Sequence, residues 1–244
     1  MNILMITTSA SRMPPDHPTG LWLEEFAVPY EHFIEEEATV TVASPRGGAI
    51  PLDPKTEPND RQRIKWFRAL QALNDTIPLD DVDDEAFDGV FIAGGHGPLV
   101  DLVDNPMLQR LLANFHADGK LIGAVCHGPA ALLNVRGADG HYLIRDTRLT
   151  GFSNLEERLT GMHGKVPFLL EDEIKRRGAK YDAALIPMTS HVIRDGGLIT
   201  GQNPASSHKV AETFLDDLRS NLQLFEQLGL SFDAPRSAAQ AMRN

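Results

Sequence analysis

The stretch LIGAVCHGPA at Leu121–Ala130 sets five apolar residues directly before a cysteine, a histidine, a glycine and a proline. A short apolar run of this kind is typical of a strand buried on both faces in a parallel sheet. A helix is expected to follow at Pro129–Val135. The stretch therefore predicts a sharp turn from strand to helix, with Cys126 at the turn.

Strands and helices alternate on both sides of this stretch. Such alternation is typical of an α/β fold with a mostly parallel central sheet and helices on both of its faces. The expected strands are Met1–Thr8, Thr39–Ala43, Asp88–Ala93, Leu121–Val125, Arg148–Gly151 and a pair within Val192–Ile199. The expected helices are Gly20–Glu37, Met107–Ala117, Asn154–Gly161, Val166–Arg177 and a long one capped by Asn203 and ended by Gly229.

The segment 45–87 is too long for a simple connection within such a fold. It begins with turn residues and contains one amphipathic stretch at Asp60–Leu73. We interpret it as a cap-like insertion, which either shapes the mouth of the active site or only covers the surface. No internal repeat or linker divides the chain, so one domain is expected over residues 1–229, followed by a C-terminal tail at 230–244.

Composition argues against several classes of function. Of the 244 residues, 42% are hydrophobic and 23% are charged, which is typical of a globular protein. The net charge of −11 argues against a nucleic-acid partner and against an anionic membrane surface. Asn2–Thr7 is too short for a signal peptide, and no apolar run approaches the ~20 residues of a membrane span. A single cysteine cannot form an internal disulfide, which favours a cytoplasmic location.

The position of Cys126 favours a reactive thiol. A nucleophile between a strand and a helix resembles the nucleophile elbow of α/β enzymes. The positive end of a following helix lowers the pKa of a thiol, and ligands bind at the carboxyl edge of an open parallel sheet. The alternative is a buried and inert cysteine, which is a common fate of single cysteines.

Three neighbouring features extend this hypothesis. The backbone amides of Gly94–Gly97, together with that of His127, could form an oxyanion hole. The ring of His127 is either a general base or a structural side chain, and a base needs a third group to orient it. Glu24 and Glu25 lie among apolar residues, where burial would raise the pKa of a carboxyl and let it donate to a thiolate. Alternatively, both glutamates face solvent.

Several motifs extend over nearly the whole chain in one order, and together they resemble the ThiJ/PfpI superfamily, the relatives of class I glutamine amidotransferases. The resemblance is greatest to its heat-shock chaperone branch with glyoxalase III activity. The cysteine turn is shared across the superfamily, whereas TG-x4-E, AGGHG and LTGF-x4-E are more specific to this branch. The matching stretches are TGLWLEEFAVPY at Thr19–Tyr30, VASPRGG at Val42–Gly48, PLDP at Pro51–Pro54, AGGHGPLVDL at Ala93–Leu102, GAVCHGPAALL at Gly123–Leu133, LTGFSNLEE at Leu149–Glu157, GAKY at Gly178–Tyr181 and TGQNPASS at Thr200–Ser207.

The resemblance implies a flavodoxin-like three-layer sandwich with a Cys–His–acid site. It places the glutamate that contacts the thiol at the motif's position after Thr19-Gly20, which is Glu25 rather than Glu24. The implied catalytic residues are Cys126, His127, Glu25 and Glu157, with oxyanion-hole amides from Gly95 and His127, and with Glu156 as the alternative to Glu157.

Similar proteins convert methylglyoxal to lactate without glutathione, as glyoxalase III-like hydro-lyases. In that scheme Cys126 attacks the aldehyde carbon, His127 moves protons between the two carbons, and hydrolysis releases the hydroxy acid. The implied substrate is a small carbonyl compound, with glycated protein adducts (a protein deglycase activity) as a further class. No organic cofactor is expected. The histidines show no compact ligand spacing, so no metal is expected either. The resemblance also implies a homodimer.

Two other functions stay open on the same fold. One is another cysteine hydrolase or hydratase, acting on amides, peptides or isonitriles. The other is a stress chaperone or oxidation sensor, in which Cys126 is oxidised to a sulfinic acid. A glutaminase is disfavoured because its histidine and acid would lie late in the chain, where His208 looks structural.

Overall fold

Residues 1–227 are described by the computed structural model. The strands are β1 (Asn2–Ile6), β2 (Arg12–Met13), β3 (His17–Pro18), β4 (Thr39–Ser44), β5 (Ile77–Pro78), β6 (Gly89–Ile92), β7 (Leu121–Val125), β8 (Arg148–Leu149), β9 (Lys180–Tyr181), β10 (Val192–Asp195) and β11 (Leu198–Gly201). The α-helices are α1 (Leu23–Glu35), α2 (Asp60–Lys65), α3 (Phe67–Ala72), α4 (Pro98–Asp101), α5 (Pro106–Ala117), α6 (Asn154–Leu159), α7 (Leu170–Arg176) and α8 (Ser207–Gln227). Short 3-10 helices lie at Pro54–Thr56, Leu79–Asp81, Asp84–Ala86, Gly128–Leu132 and Pro204–Ser206.

Seven of these strands form one sheet in the order β10-β11-β7-β6-β1-β4-β5. Neighbouring strands are parallel except β10 and β11, which form an antiparallel hairpin at one edge. The order β4-β1-β6-β7-β11 in the centre is the flavodoxin-like order, in which the second strand lies outside the first and the later strands follow on the other side. The predicted α/β fold with a mostly parallel sheet is confirmed.

Each face of the sheet carries its own apolar cluster, because alternate side chains of a strand point to opposite faces. Ile3 and Met5 of β1 belong to the cluster that α1 and α8 cover. Leu4 and Ile6 belong to the other cluster, which α5 covers with its buried side. The two clusters and the sheet between them make the predicted three-layer sandwich.

Three phenylalanines fill the space between the sheet, α1 and α8. The ring centroids of Phe33, Phe91 and Phe214 lie 5.5 to 5.8 Å apart. Gly123, the middle residue of β7, makes room for them, because a Cβ atom there would lie 2.6 Å from the Phe91 ring and 2.9 Å from the Phe214 ring. The glycine in the LIGAV strand thus lets α8 pack directly beneath the strand that leads to Cys126.

The segment 45–87 packs against the domain beside α1. It adds β5 to the edge of the sheet next to β4, and it places Trp66 and Leu73 in the apolar cluster around α1. Its helix α3 contacts α1, where Arg68 forms an ion pair with Glu31. A cap over the site and a domain boundary at residue 229 stay predictions, and the tail 230–244 lies outside the described residues.

The segment after Cys126 is not the α-helix expected at Pro129–Val135. It is a 3-10 helix at Gly128–Leu132. The amide of Ala130 donates to the carbonyl of His127, three residues earlier, so the turn is tighter than in an α-helix.

Asn203 has the expected N-cap position, with Pro204 as the first helical residue, but its side chain makes no capping hydrogen bond. Its Nδ2 instead donates to Glu156 Oε1 and to the Thr189 carbonyl. The 3-10 helix at Pro204–Ser206 follows, and α8 begins only at Ser207. The expected helix end at Gly229 lies outside the described residues. Across the part of the chain that is described, no helix combines the length and apolar character needed to cross a membrane.

We predict that Phe214→Ala lowers the free energy of unfolding by about 3–5 kcal/mol, because it leaves a cavity between α8 and the rings of Phe33 and Phe91. Urea denaturation followed by circular dichroism measures the change. Phe67→Ala is the matched control, because Phe67 is 59% exposed and its removal opens no cavity. An equal loss of stability in both variants would contradict the importance of this cluster.

Candidate active site

The chain turns sharply at Cys126, directly after β7. Its backbone is left-handed, with a φ of +59°, a conformation that non-glycine residues seldom adopt. Its N–H donates to the Gly201 carbonyl and its own carbonyl accepts from the Phe152 N–H, both at 2.9 Å. A side chain at Gly128 would not fit, because its Cβ would lie 2.6 Å from the Ile92 carbonyl oxygen. The sheet and its neighbours thus hold Cys126 in a strained position.

The thiol begins a buried line of three hydrogen-bonding side chains. Cys126 Sγ lies 3.3 Å from His127 Nδ1, and His127 Nε2 lies 2.9 Å from Glu157 Oε1. An ionised carboxylate only accepts hydrogen bonds, so Nε2 carries the ring proton and Nδ1 presents its lone pair to the thiol. This arrangement can move a proton from the sulfur to the imidazole.

Glu157, and not Glu156, is the acid that contacts His127. Glu156 is fully buried and is held by hydrogen bonds from other segments. It forms a capping box with Ser153 at the start of α6. It also accepts from the Met188 amide and from the side chains of Gln202 and Asn203, at 2.8 to 2.9 Å. The neighbour that the sequence could not separate from Glu157 therefore has a structural role.

Glu25 of α1 reaches the thiol from the other side, whereas Glu24 is exposed. Its Oε2 accepts from the Gly95 amide at 2.9 Å and lies beside Gly94, as does the Cβ of Cys126, while its Oε1 is buried without a hydrogen-bond partner within residues 1–227. Gly94 must be a glycine, because a Cβ there would overlap Glu25 Oε2 and lie 2.8 Å from the Cys126 Cβ. Burial raises the pKa of Glu25 to about 8, so its carboxyl group is mostly protonated at neutral pH.

The expectation of a low thiol pKa is wrong. Burial raises the pKa of Cys126 well above its usual value, and the charge of Glu25 raises it further whenever that carboxyl ionises. The helix expected to lower the pKa is a 3-10 helix of five residues, too short for a large dipole. The resting site therefore holds a neutral thiol.

The imidazole and its acid are in the protonation states that a base requires. Burial, followed by the charge of His96, lowers the pKa of His127 to about 4. Burial alone would raise the pKa of Glu157, but hydrogen bonds from His127 and His96 outweigh it and lower the value to about 2. At neutral pH a neutral imidazole therefore faces the thiol and an ionised carboxylate faces the imidazole.

The expected oxyanion hole is not assembled as a pair of free donors. The Gly95 amide is engaged by Glu25 Oε2. Its backbone φ of +86° brings it against Gly20 and Trp22, where any side chain would clash. The oxyanion roles of Gly95 and His127 stay predictions.

His96 is a residue that sequence reasoning missed. Its Nε2 lies 3.0 Å from Glu157 Oε1, and its ring centroid is 4.3 Å from that of His127. The sequence of the GGHG loop suggested a role for its backbone amides and none for this side chain. Its position after β6 could have indicated a role, because the carboxyl ends of the parallel neighbours β6 and β7 meet at one edge of the sheet and bring His96 close to His127.

The same cluster bears on metal binding. One ligand atom from each of His96, His127 and Glu157 lies within 4.8 Å of the other two, so the trio could hold a metal ion. No ligand spacing is visible in the sequence, because the three residues come from separate segments. The hydrogen bonds already account for their positions, and the absence of a metal stays a prediction.

A sequence profile of the DJ-1/PfpI family matches residues 20–217. The chain belongs to this family. Glutathione-independent glyoxalase HSP31 of Saccharomyces cerevisiae is 34% identical over 216 residues, which cover 83% of this chain and 90% of the yeast protein. Glyoxalase 3 of Candida albicans is 27% identical over 218 residues, which cover 83% of this chain and 91% of that protein.

Several solved structures superpose on the chain. The Francisella tularensis Rapid Encystment Protein 24 KDa has a TM-score of 0.84 at 37% identity, with 89% of this chain and 98% of that chain covered. Glyoxalase III of Candida albicans has a TM-score of 0.80 at 26% identity, with 88% and 96% covered. Drosophila melanogaster DJ-1beta has a TM-score of 0.60 at 20% identity, over 94% and 98%, and shares the fold.

We predict that Glu156→Ala and Glu157→Gln have different effects. Removing Glu156 leaves buried donors of Ser153, Gln202 and Asn203 without an acceptor, at about 1–3 kcal/mol each, so the thermal unfolding midpoint should fall strongly. Glu157→Gln keeps the shape of the side chain and should leave the midpoint within a few degrees of wild type. Differential scanning calorimetry measures both. Equal midpoints for the two variants would contradict the structural role of Glu156.

Proposed function

We propose that the chain is a glutathione-independent glyoxalase that converts methylglyoxal to lactate, with Cys126 as the nucleophile. The observation that carries the proposal is the buried line from Cys126 Sγ through His127 to Glu157, at 3.3 and 2.9 Å. A strained turn at the end of β7 holds the thiol, as in a nucleophile elbow. The names of the yeast and Candida relatives support the same activity.

The first step is addition of the thiol to the aldehyde. Cys126 Sγ forms a bond to the aldehyde carbon while His127 Nδ1 accepts the thiol proton and returns it to the new oxygen. The product is a hemithioacetal, and no electrons leave the system. The negative charge of Glu157 stabilises the imidazolium that exists during the transfer. A neutral thiol with a raised pKa therefore becomes nucleophilic only when its proton is being removed.

The second step is an internal proton shift followed by hydrolysis. His127 removes the proton from the former aldehyde carbon, giving an enediol, and delivers a proton to the neighbouring carbon. The former aldehyde carbon is thereby oxidised to a thioester and the former ketone carbon is reduced to an alcohol. Water cleaves the thioester, releases lactate and restores the thiol. The net reaction adds one water to methylglyoxal and needs no external oxidant or reductant.

In this scheme Glu25 stabilises the thiolate form of Cys126. Its protonated carboxyl group donates a hydrogen bond to the thiolate that forms when the hemithioacetal breaks down or the thioester is cleaved. Because the Gly95 amide donates to Oε2, the proton belongs on Oε1, which has no hydrogen-bond partner among the described residues of the resting site and is available to the thiolate. The amides of Gly95 and His127 stabilise the oxyanion if substrate binding draws the Gly95 amide away from Glu25.

Two alternative functions remain to be distinguished from a glyoxalase: an oxidation sensor and another cysteine hydrolase or hydratase. An oxidation sensor is disfavoured, because the thiolate is the form that oxidants attack and burial raises the pKa of Cys126. An amidase, peptidase or isonitrile hydratase would use the same nucleophile, so substrate tests decide between them. A protein deglycase activity, a homodimer and a cytoplasmic location stay predictions.

We predict that the purified protein forms lactate from methylglyoxal in buffer without glutathione, and that Cys126→Ala reduces kcat at least about 1000-fold by removing the nucleophile. Enzymatic detection of lactate measures the rate. Prior dialysis against a chelator should leave the wild-type rate unchanged, because no step requires a metal. Rapid turnover by Cys126→Ala would contradict the nucleophile, and turnover of amides or isonitriles without any of glyoxals would contradict the substrate class.

We also predict a bell-shaped dependence of kcat/KM on pH. Below about 4, His127 is protonated and cannot accept the thiol proton, so the rate falls on the acid side. Above about 8, Glu25 ionises and no longer donates to the sulfur, so the rate falls on the alkaline side. Glu25→Gln is permanently neutral, and its alkaline limb should move to higher pH. An alkaline limb unchanged in Glu25→Gln would show that another group controls it.

A further inference from the structure

One carboxylate oxygen serves two imidazoles. Oε1 of Glu157 lies 2.9 Å from His127 Nε2 and 3.0 Å from His96 Nε2, while Oε2 is buried without a hydrogen-bond partner. We propose that His96 is a positioning residue that acts on His127 through Glu157. The inference rests on the proposed function, because it concerns how the base of that reaction, His127, is oriented and kept neutral.

The fold fixes His96 as firmly as it fixes the nucleophile. The residue lies in the loop between β6 and α4, and its carbonyl accepts from the Leu99 amide at 3.1 Å. Gly95 on one side has a positive φ, and Gly97 on the other packs against Thr8, where a Cβ would clash. His96 is 7% exposed. A ring held this way in a buried loop can hold a carboxylate in one orientation.

The shared oxygen determines which face of His127 is the base. With the two Nε2–H groups directed at one oxygen, Glu157 cannot rotate without breaking two hydrogen bonds. The ring of His127 is therefore kept with its proton on Nε2 and its lone pair on Nδ1, facing the thiol. The Phe152 ring packs on both imidazoles, with centroids 4.8 Å from His127 and 6.5 Å from His96, and limits their rotation.

The shared oxygen also weakens the hold of Glu157 on an imidazolium. A carboxylate that already accepts from His96 has less negative charge to offer His127, and a charged His96 repels a charged His127. Both effects favour neutral His127, which is the form that takes the thiol proton. The charged and titratable groups around His127 are Glu157 and Glu156 of α6, His96 of the β6–α4 loop and the Cys126 thiol beside it.

The test is His96→Phe, which keeps a ring of similar shape and removes the N–H donor. We expect kcat for methylglyoxal to fall roughly 10- to 100-fold, because one charged hydrogen bond that orients Glu157 is lost. We expect the acid limb of the pH profile to move to higher pH, because His127 becomes easier to protonate. A purely structural role would lower the rate at every pH and leave the limb in place.

Two further variants complete the design. His96→Gln places an amide N–H near the position of Nε2, and it should recover most of the rate lost in His96→Phe. His191→Phe is the matched control, because His191 also lies 3.0 Å from a carboxylate, that of Asp182, but outside the site. It should behave as wild type. A wild-type kcat and acid limb in His96→Phe, or equal losses in the Phe and Gln variants, would overturn the inference.

A second readout needs no substrate. In protein labelled with ¹⁵N-histidine, the ring nitrogens of His127 report its tautomer and its titration directly. We expect the Nε2–H tautomer with titration near pH 4 in wild type, and a higher midpoint in His96→Phe. If the wild type is inactive on glyoxals, the proposed function fails while this titration still decides the role of His96. An identical His127 titration in both proteins would overturn the inference whatever the substrate.

Discussion

Close packing between the carboxyl ends of β6 and β7 is the constraint on which the site depends. The left-handed turn at Cys126 requires that nothing larger than hydrogen project from Gly94 and Gly128, because the Ile92 carbonyl and the Glu25 carboxyl occupy that space. The same close packing brings the thiol, the imidazole beside it and a buried glutamate within hydrogen-bonding distance of one another. The glycines are therefore as much a part of the site as the side chains that carry its chemistry.

Three buried glutamates show how donors, rather than burial, decide what a carboxyl group does. Glu25 has one backbone donor and an apolar setting, so it stays protonated near neutral pH. Glu157 accepts from two imidazoles and stays ionised. Glu156 accepts from a serine, a backbone amide, a glutamine and an asparagine, and ties α6 to the segment before α8. Similar burial thus supports a hydrogen-bond donor, an orienting acid and a structural anchor.

The sequence predicted the architecture well because apolar runs and turn residues determine a parallel sheet locally. The predicted bounds of the strand LIGAV are those observed for β7. The family motif distinguished Glu25 from Glu24, which helical spacing alone could not do. The predicted lowering of the Cys126 pKa was wrong, because burial by residues distant in the chain raises that pKa and outweighs the effect of a nearby helix end. His96 was missed for a related reason. Its partner Glu157 is 61 residues away, and only the assembled sheet brings them together.

Gly201 makes the turn at Cys126 depend on a strand that follows it much later in the chain. That strand, β11, lies between β7 and the edge strand β10. The Gly201 carbonyl accepts the Cys126 amide, and α8 packs beneath the strand that precedes the cysteine. A chain that lacks β11 therefore has no acceptor for the Cys126 amide. The left-handed turn at the thiol is thus completed only when β11 has joined β7, so the nucleophile is a product of long-range folding and not of its own local sequence.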